Sequence, residues 1–326
     1  MRIASAAAGS LEDLMLAKIR TPVAAVLCCV GLGAGVAGCD GDAMENWDPF
    51  AASTPSASSA SSASSAPTAA AAAISGTEKI TVAGRSVNVS CSGEPVEGGP
   101  VVVLMHGGGD GLDKMASLQK TLSGKHRVCS YDRLGAGKSD QPDGPQDLAA
   151  SGRILTGVLD RVAGKAPVVL AGHSLGGLIA ARYAPDHQDR VKGLVLLDAT
   201  PPTMMNDIEK AIPKSAEGPA AELRAQNLAI FQGQNPEKLV IPDGPVRSAG
   251  DIPVEVVRHG KPYLEALPEY GPRLERAWAA GQRKWLALSG RSTLSTAAGS
   301  EHYIYVDEPG VAVQAVDRVT DQARSR

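Results

Sequence analysis

The five residues Gly172-His173-Ser174-Leu175-Gly176 join an apolar run, Val168-Val169-Leu170-Ala171, to a stretch with helical spacing. A hydroxyl lifted on so tight a turn takes strained backbone angles, and the residues two positions away on either side must lack a bulky side chain. Gly172 and Gly176 meet that condition. A serine so placed can attack a carbonyl carbon if an imidazole takes its proton and a carboxylate holds the imidazole. Leu175 begins the following helix, where a backbone N–H is free and the dipole favours negative charge, so it is a candidate donor to the oxyanion that such an attack creates. A second glycine cluster, His106-Gly107-Gly108-Gly109, closes another apolar run, Val101-Val102-Val103-Leu104.

These groups need a scaffold. Past Ile74 the chain alternates short β-branched runs with helical stretches, the pattern of a mostly parallel sheet with helices on both faces, an α/β fold. Strands are predicted over Lys79–Val82, Arg85–Ser90, Val101–Met105, His126–Tyr131, Pro167–Ala171, Val191–Leu197, Val254–Arg258 and Ser292–Ala297. Continuous apolar runs such as Val101–Leu104 imply strands buried on both faces. Helices are predicted over Gln146–Ala163, Leu175–Ala184 and around Val311–Val319. From Thr200 to Gly250 the pattern is irregular and broken by Pro and Gly, which fits a helical cap, about 200–250, inserted between the sixth and seventh strands.

Taken together, the glycine loop at His106–Gly109, the segment Tyr131-Asp132-Arg133-Leu134-Gly135-Ala136-Gly137-Lys138-Ser139, the serine turn, Leu194-Val195-Leu196-Leu197-Asp198, and His302 followed by Pro309 resemble the α/β-hydrolase superfamily across most of 77–320. The resemblance implies an eight-stranded sheet, a serine hydrolase of the carboxylic-ester type, and the chain order nucleophile, acid, histidine. His302, in the loop after the last strand, then becomes the general base of Ser174, and Gly108 the second oxyanion donor. His187 and His259 read as surface or loop histidines, and His106 and His173 as loop braces. Asp132 reads as a loop-fixing acceptor. Most members carry an aspartate just after the seventh strand, but none occurs here between Asp251 and Asp307. Asp198, ending the sixth strand, is the favoured acid; Glu265, Glu269 and Glu275 are the alternatives. The same triad would also suit a peptidase, amidase or acyltransferase, and a surface protein that kept the fold as a non-catalytic binding module is the reading from another class. No cofactor or metal is expected, since no His or Cys pair has ligand spacing.

Outside this region, Lys18 and Arg20 precede an apolar run from Val23 to Ala37, and Val36-Ala37-Gly38-Cys39 resembles a bacterial lipobox. Residues 1–38 thus read as a signal peptide, with Cys39 as the acylated first mature residue; an ordinary cleaved signal and an uncleaved anchor are the competing readings. Residues 39–75, rich in Ser, Ala and Pro, read as a disordered tether to a hydrolase domain over 76–326. The expected location is extracytoplasmic, held to the membrane by lipid or secreted, and the expected state is a monomer acting on a small ester or acyl substrate. A net charge of -3 without a long basic run gives no electrostatic reason for a nucleic-acid partner. Of the five cysteines, Cys91 and Cys129 fall in the domain. The family fold makes the second and fourth strands neighbours, so a disulfide between them is expected in an exported protein.

Overall fold

A computed structural model describes residues 74–324. Cys39 and the Ser/Ala/Pro-rich stretch lie outside the described residues. Eight strands form one sheet: β1 (Gly76–Val82), β2 (Arg85–Ser92), β3 (Val101–Met105), β4 (Val128–Tyr131), β5 (Val168–His173), β6 (Val191–Leu197), β7 (Val254–His259) and β8 (Ser292–Ala297). Their order is β1-β2-β4-β3-β5-β6-β7-β8. The β1/β2 and β2/β4 pairs are antiparallel and the other five pairs are parallel. The architecture is the α/β-hydrolase one that the motifs implied.

The helices are α1 (Ala116–Leu122), α2 (Leu148–Val162), α3 (Leu175–Tyr183), α4 (Met204–Ala211), α5 (Gly218–Phe231), α6 (Gly271–Lys284), α7 (Ile304–Asp307) and α8 (Pro309–Arg324). Residue alternation along the strands explains their distribution. Val101, Val103 and Met105 point into a core completed by Leu155 and Leu159 of α2 and Leu178 of α3. Val102 and Leu104 point the other way, against Leu118 and Leu122 of α1 and Ala312, Val316 and Val319 of α8. Both faces are therefore dry, and each fully buried Val or Leu contributes roughly 1.5–3 kcal/mol. That is why β3 reads as an unbroken apolar run.

Of the strand boundaries that differ from the sequence reading, those of β4 and β5 are the most informative. His126 and Arg127 precede β4 instead of opening it: His126 Nε2 lies 2.7 Å from Asp317 Oδ1, and Arg127 donates to the Gly93 carbonyl. At its C-terminal end, β5 runs through Gly172 and His173, so the strand leads directly into Ser174. Between β6 and β7 stand α4 and α5, and between β7 and β8 stands α6, whose Leu274 and Trp278 are buried. Cys91 and Cys129 are direct partners across the β2/β4 pair, with their Cα atoms 4.1 Å apart, and are joined by a disulfide.

Candidate active site

Ser174 has φ 47° and ψ −118°, backbone angles that side chains rarely adopt. The turn is held by hydrogen bonds on both sides: Ser174 N–H donates to Leu197 O, and Ser174 O accepts from Gly177, Leu178 and Thr200. Both flanking glycines are required. A Cβ on Gly172 would lie 2.5 Å from the Gly176 carbonyl and the Gly177 nitrogen. On Gly176 it would strike the carbonyl oxygens of Met105 and His106, at the mouth of the glycine loop. The sharp bend and the close approach of α3 to the end of β3 thus arise from the same residues. Ser174 is buried, and its hydroxyl lies 3.4 Å from Thr200 Oγ1.

Asp198 follows β6 with a positive φ of 45° and is fully buried. His302 Nδ1 sits 2.7 Å from Asp198 Oδ2, which joins the predicted base to the favoured acid. His302 Nδ1 also makes a longer contact of 3.4 Å with Tyr263 Oη. Tyr263 occupies the stretch after β7 where an aspartate was missed. Next to Ser174, His173 packs its ring 4.5 Å from that of His302 and places Nε2 3.1 Å from the His302 carbonyl oxygen. Burial, with the nearby His302 adding to it, holds His173 well below the usual histidine range. His106, pushed the same way by burial and by Arg133, has Nδ1 2.7 Å from Gly107 O. Both act as braces. Asp132 accepts from the backbone N–H groups of Leu112 and Lys138 and from the Asn88 amide, tying the glycine loop to the turn after β4.

The alternative acids are elsewhere. Glu265 and Glu269 are exposed, and Glu275 on α6 places Oε1 2.5 Å from His259 Nε2 instead of reaching His302. His259 itself needs correction. It is buried, not a surface or loop histidine, and its Nδ1 lies 2.9 Å from each Asp198 oxygen. Trp278 Nε1–H completes the set, donating to Asp198 Oδ1 over 2.9 Å. Although burial opposes ionisation of Asp198, the His259 charge and the hydrogen bonds from His259 and His302 hold its carboxyl below the ordinary range.

A cavity of about 490 Å³ opens beside this cluster. Gly108 and Leu175, the two expected oxyanion donors, lie in its wall with Thr200 and Tyr303. The same cavity is lined by residues at and after the end of α5, among them Phe231, Asn235 and Glu237. The N–H of Leu175 belongs to the first helical turn, which has no intrahelical acceptor. Arg133 links the two groups of lining residues. Its guanidinium makes a buried, bidentate pair with Glu237 at 2.7 Å and donates to the carbonyls of His106 and Gly107. The long-range Arg133–Glu237 and Ser174–Thr200 contacts carry no signal in the linear sequence. Among the described residues, no group of three or more His, Cys, Asp or Glu side chains is placed to hold a metal ion.

A serine on a strand-to-helix bend, with a histidine and an aspartate brought to the same edge of a parallel sheet, defines the α/β-hydrolase class. The chain belongs to the alpha/beta hydrolase fold family, whose model matches residues 100–304. Over 100 residues it is 34% identical to the (lyso)-N-acylphosphatidylethanolamine lipase of Homo sapiens, a match covering 30% of this chain and 29% of the lipase. Over 138 residues it is 30% identical to the putative carbamate hydrolase RutD of Azorhizobium caulinodans, covering 41% of this chain and 51% of that one. The matched segments thus span from under a third to about half of those relatives. Among solved structures, a serine hydrolase involved in carbazole degradation superposes with a TM-score of 0.55 at 17% identity, over 75% of this chain and 98% of its own; that likeness is one of fold.

Proposed function

We propose that the protein is a serine hydrolase that cleaves carboxylic esters through an acyl-enzyme, with Ser174 as nucleophile, His302 as general base and Asp198 as the acid. The observation that carries the reading is the 2.7 Å contact of His302 Nδ1 with a buried aspartate, on the strand next to the one that ends in the strained Ser174. With Nδ1–H committed to Asp198, the lone pair of the base is at Nε2, the tautomer that can accept a serine proton. Ser174 Oγ turns from Thr200 toward Nε2 and attacks the carbonyl carbon as its proton passes to His302. The carbonyl π electrons move onto oxygen, and the N–H groups of Gly108 and Leu175 donate hydrogen bonds to the oxyanion that forms; each such donor contributes roughly 3–4 kcal/mol to the transition state. His302 then protonates the departing alkoxide. Water, deprotonated by the same imidazole, releases the acid and restores Ser174.

The cap and the 490 Å³ cavity suit a small or medium acyl group. The lipase relative supports ester chemistry, whereas the carbamate hydrolase relative keeps amide-type carbonyls within the same mechanism. A fluorophosphonate probe tests the reading: it should label the folded protein at Ser174 and fail on Ser174→Ala. A folded wild-type protein that resists the probe and turns over no model ester would leave the binding-module reading in its place. We also infer export and acylation at Cys39; the Cys91–Cys129 disulfide suits an oxidising compartment. Metabolic labelling with a fatty-acid analogue, lost on Cys39→Ala, tests that separately.

A further inference from the structure

We propose that His259 and Glu275 are positioning residues of the triad, so that the working unit is a buried chain, Glu275–His259–Asp198–His302, with His259 held as a cation between two carboxylates. The inference rests on the triad reading above and extends it. Its basis is geometric. His259 Nδ1 lies 2.9 Å from both oxygens of Asp198, and Nε2 lies 2.5 Å from Glu275 Oε1. A neutral imidazole has one N–H and one lone pair, and a lone pair directed at a carboxylate oxygen across such a distance is repulsive. With carboxylates at both ends, the ring is bound best as the cation, which donates twice. Burial alone would lower the basicity of His259, but the charge and hydrogen bonds of Asp198 and Glu275 reverse this and raise it to about 10.

Asp198 shows what the cation does. Oδ1 receives the His259 backbone N–H at 3.2 Å, the His259 ring at 2.9 Å and the Trp278 indole at 2.9 Å. Those donors lock the carboxylate plane and leave Oδ2 directed at His302. The two imidazoles also share Oδ2, so the charge on one is felt by the other. Counting Glu275 and Asp198 as −1 each and His259 as +1 gives −1, the charge of an ordinary triad acid. Glu275 thus offsets the cation that would otherwise weaken Asp198 as a partner for the catalytic base.

The groups facing this chain from every packed element are few. His259 meets Asp198 from β6, Glu275 from α6 and the Tyr263 ring at 4.8 Å. His302 meets Asp198, Tyr263, Tyr303 and His173, and Asp110 and Lys114 lie within electrostatic reach of the His173–His302 pair. Trp278, which carries no charge, donates to Asp198 and lies with its ring 6.5 Å from that of His259 and 5.5 Å from that of His302.

The charge count makes a signed prediction for the acid limb of kcat/KM, measured on a soluble p-nitrophenyl ester, because that limb reports loss of a proton from the base. H259Q removes the cation, takes the count to −2, and should move the limb to higher pH by about one unit. The H259Q/E275Q double variant returns the count to −1 and should bring the limb most of the way back, even if its rate stays low. A packing role predicts slower or less stable variants with unmoved limbs. In the wild-type protein, ¹⁵N spectra of labelled imidazoles should show one histidine with both ring nitrogens protonated at pH 8. An H259Q limb that stays at the wild-type position, or no doubly protonated ring at pH 8, overturns the proposal; the spectra decide it if the variants do not fold. Failure of the enzyme reading looks different: wild-type protein takes no fluorophosphonate and cleaves no ester, whatever the spectra show.

Discussion

Replacing Asp198 with Asn tests the arrangement most sharply, because nearly every atom of that side chain has an assigned partner. The carboxylate accepts at Oδ1 from the His259 backbone, the His259 ring and Trp278, and at Oδ2 from His302 and again from His259. An amide of the same shape has only one acceptor oxygen. Set at the Oδ1 position, that oxygen keeps Trp278 and His259 and turns its NH2 toward His302 Nδ1. His302 must then offer a lone pair at Nδ1, which moves its proton to Nε2, the nitrogen that has to be empty to receive the Ser174 proton. A wrong tautomer in such a triad costs about 10⁴ in kcat, or roughly 5.5 kcal/mol of barrier. Since Asp198 does not line the 490 Å³ cavity, KM should change by no more than a few-fold. The assay is p-nitrophenyl ester hydrolysis, with the fluorophosphonate labelling rate as a second readout and circular dichroism to confirm folding. E265Q and E269Q, at exposed positions, should match wild type. A folded D198N that keeps more than about a tenth of wild-type kcat would refute the assignment of the acid.

Other outcomes follow from the same contacts. His259 binds its proton more tightly folded than unfolded, so its contribution to stability is complete below its ordinary value of 6.5 and is lost as pH climbs toward about 10. Urea titrations between those limits should show stability falling by a few kcal/mol, roughly, with the decline largely absent in H259Q. Glu237→Ala leaves a buried guanidinium without its carboxylate and should cost about 3–5 kcal/mol in urea denaturation, with a raised KM because Arg133 also holds the carbonyls beside Gly108. Opening the 38-residue separation between Cys91 and Cys129 with a double Ser substitution should remove about 2–4 kcal/mol, seen as a Tm lower by roughly 5–15 °C.

Much of the fold was legible because dry parallel strands leave unbroken apolar runs, and β3 and β6 have the ends the sequence suggested; β8 does too, although only its Ala297 is buried. The Ser174 turn was legible for a different reason: backbone contact there admits only glycine on either side. What the sequence left open was the acid, since three glutamates follow β7 and only the tertiary contact of Glu275 with His259 shows where that one is spent. His259 was misread because a histidine ending a strand looks like any surface residue. A signal was nonetheless present. Strands β6 and β7 are parallel with Leu197 opposite Val257, so Asp198 and His259 leave the same edge of the sheet one residue out of step. A segment lacking the usual aspartate, yet ending in a histidine next to a strand-end aspartate, is a pattern that could be sought directly. The α6 helix escaped notice because its buried face is spaced over Leu274, Trp278 and Gln282 among many charged residues. The 104-residue separation of Arg133 and Glu237 lies beyond any local pattern.

The bend at residue 174 has a bearing on the protein's history. Strain of this kind costs on the order of 1–3 kcal/mol, and on the proposed reading selection for turnover is what maintains it. A descendant released from catalysis therefore gains by drifting to glycine at this position, while Gly172 and Gly176 stay fixed because backbone still crowds them. Three glycines in the spacing of this turn, in place of glycine, serine and glycine, would be the sequence mark of a relative that has retired from chemistry and kept its architecture.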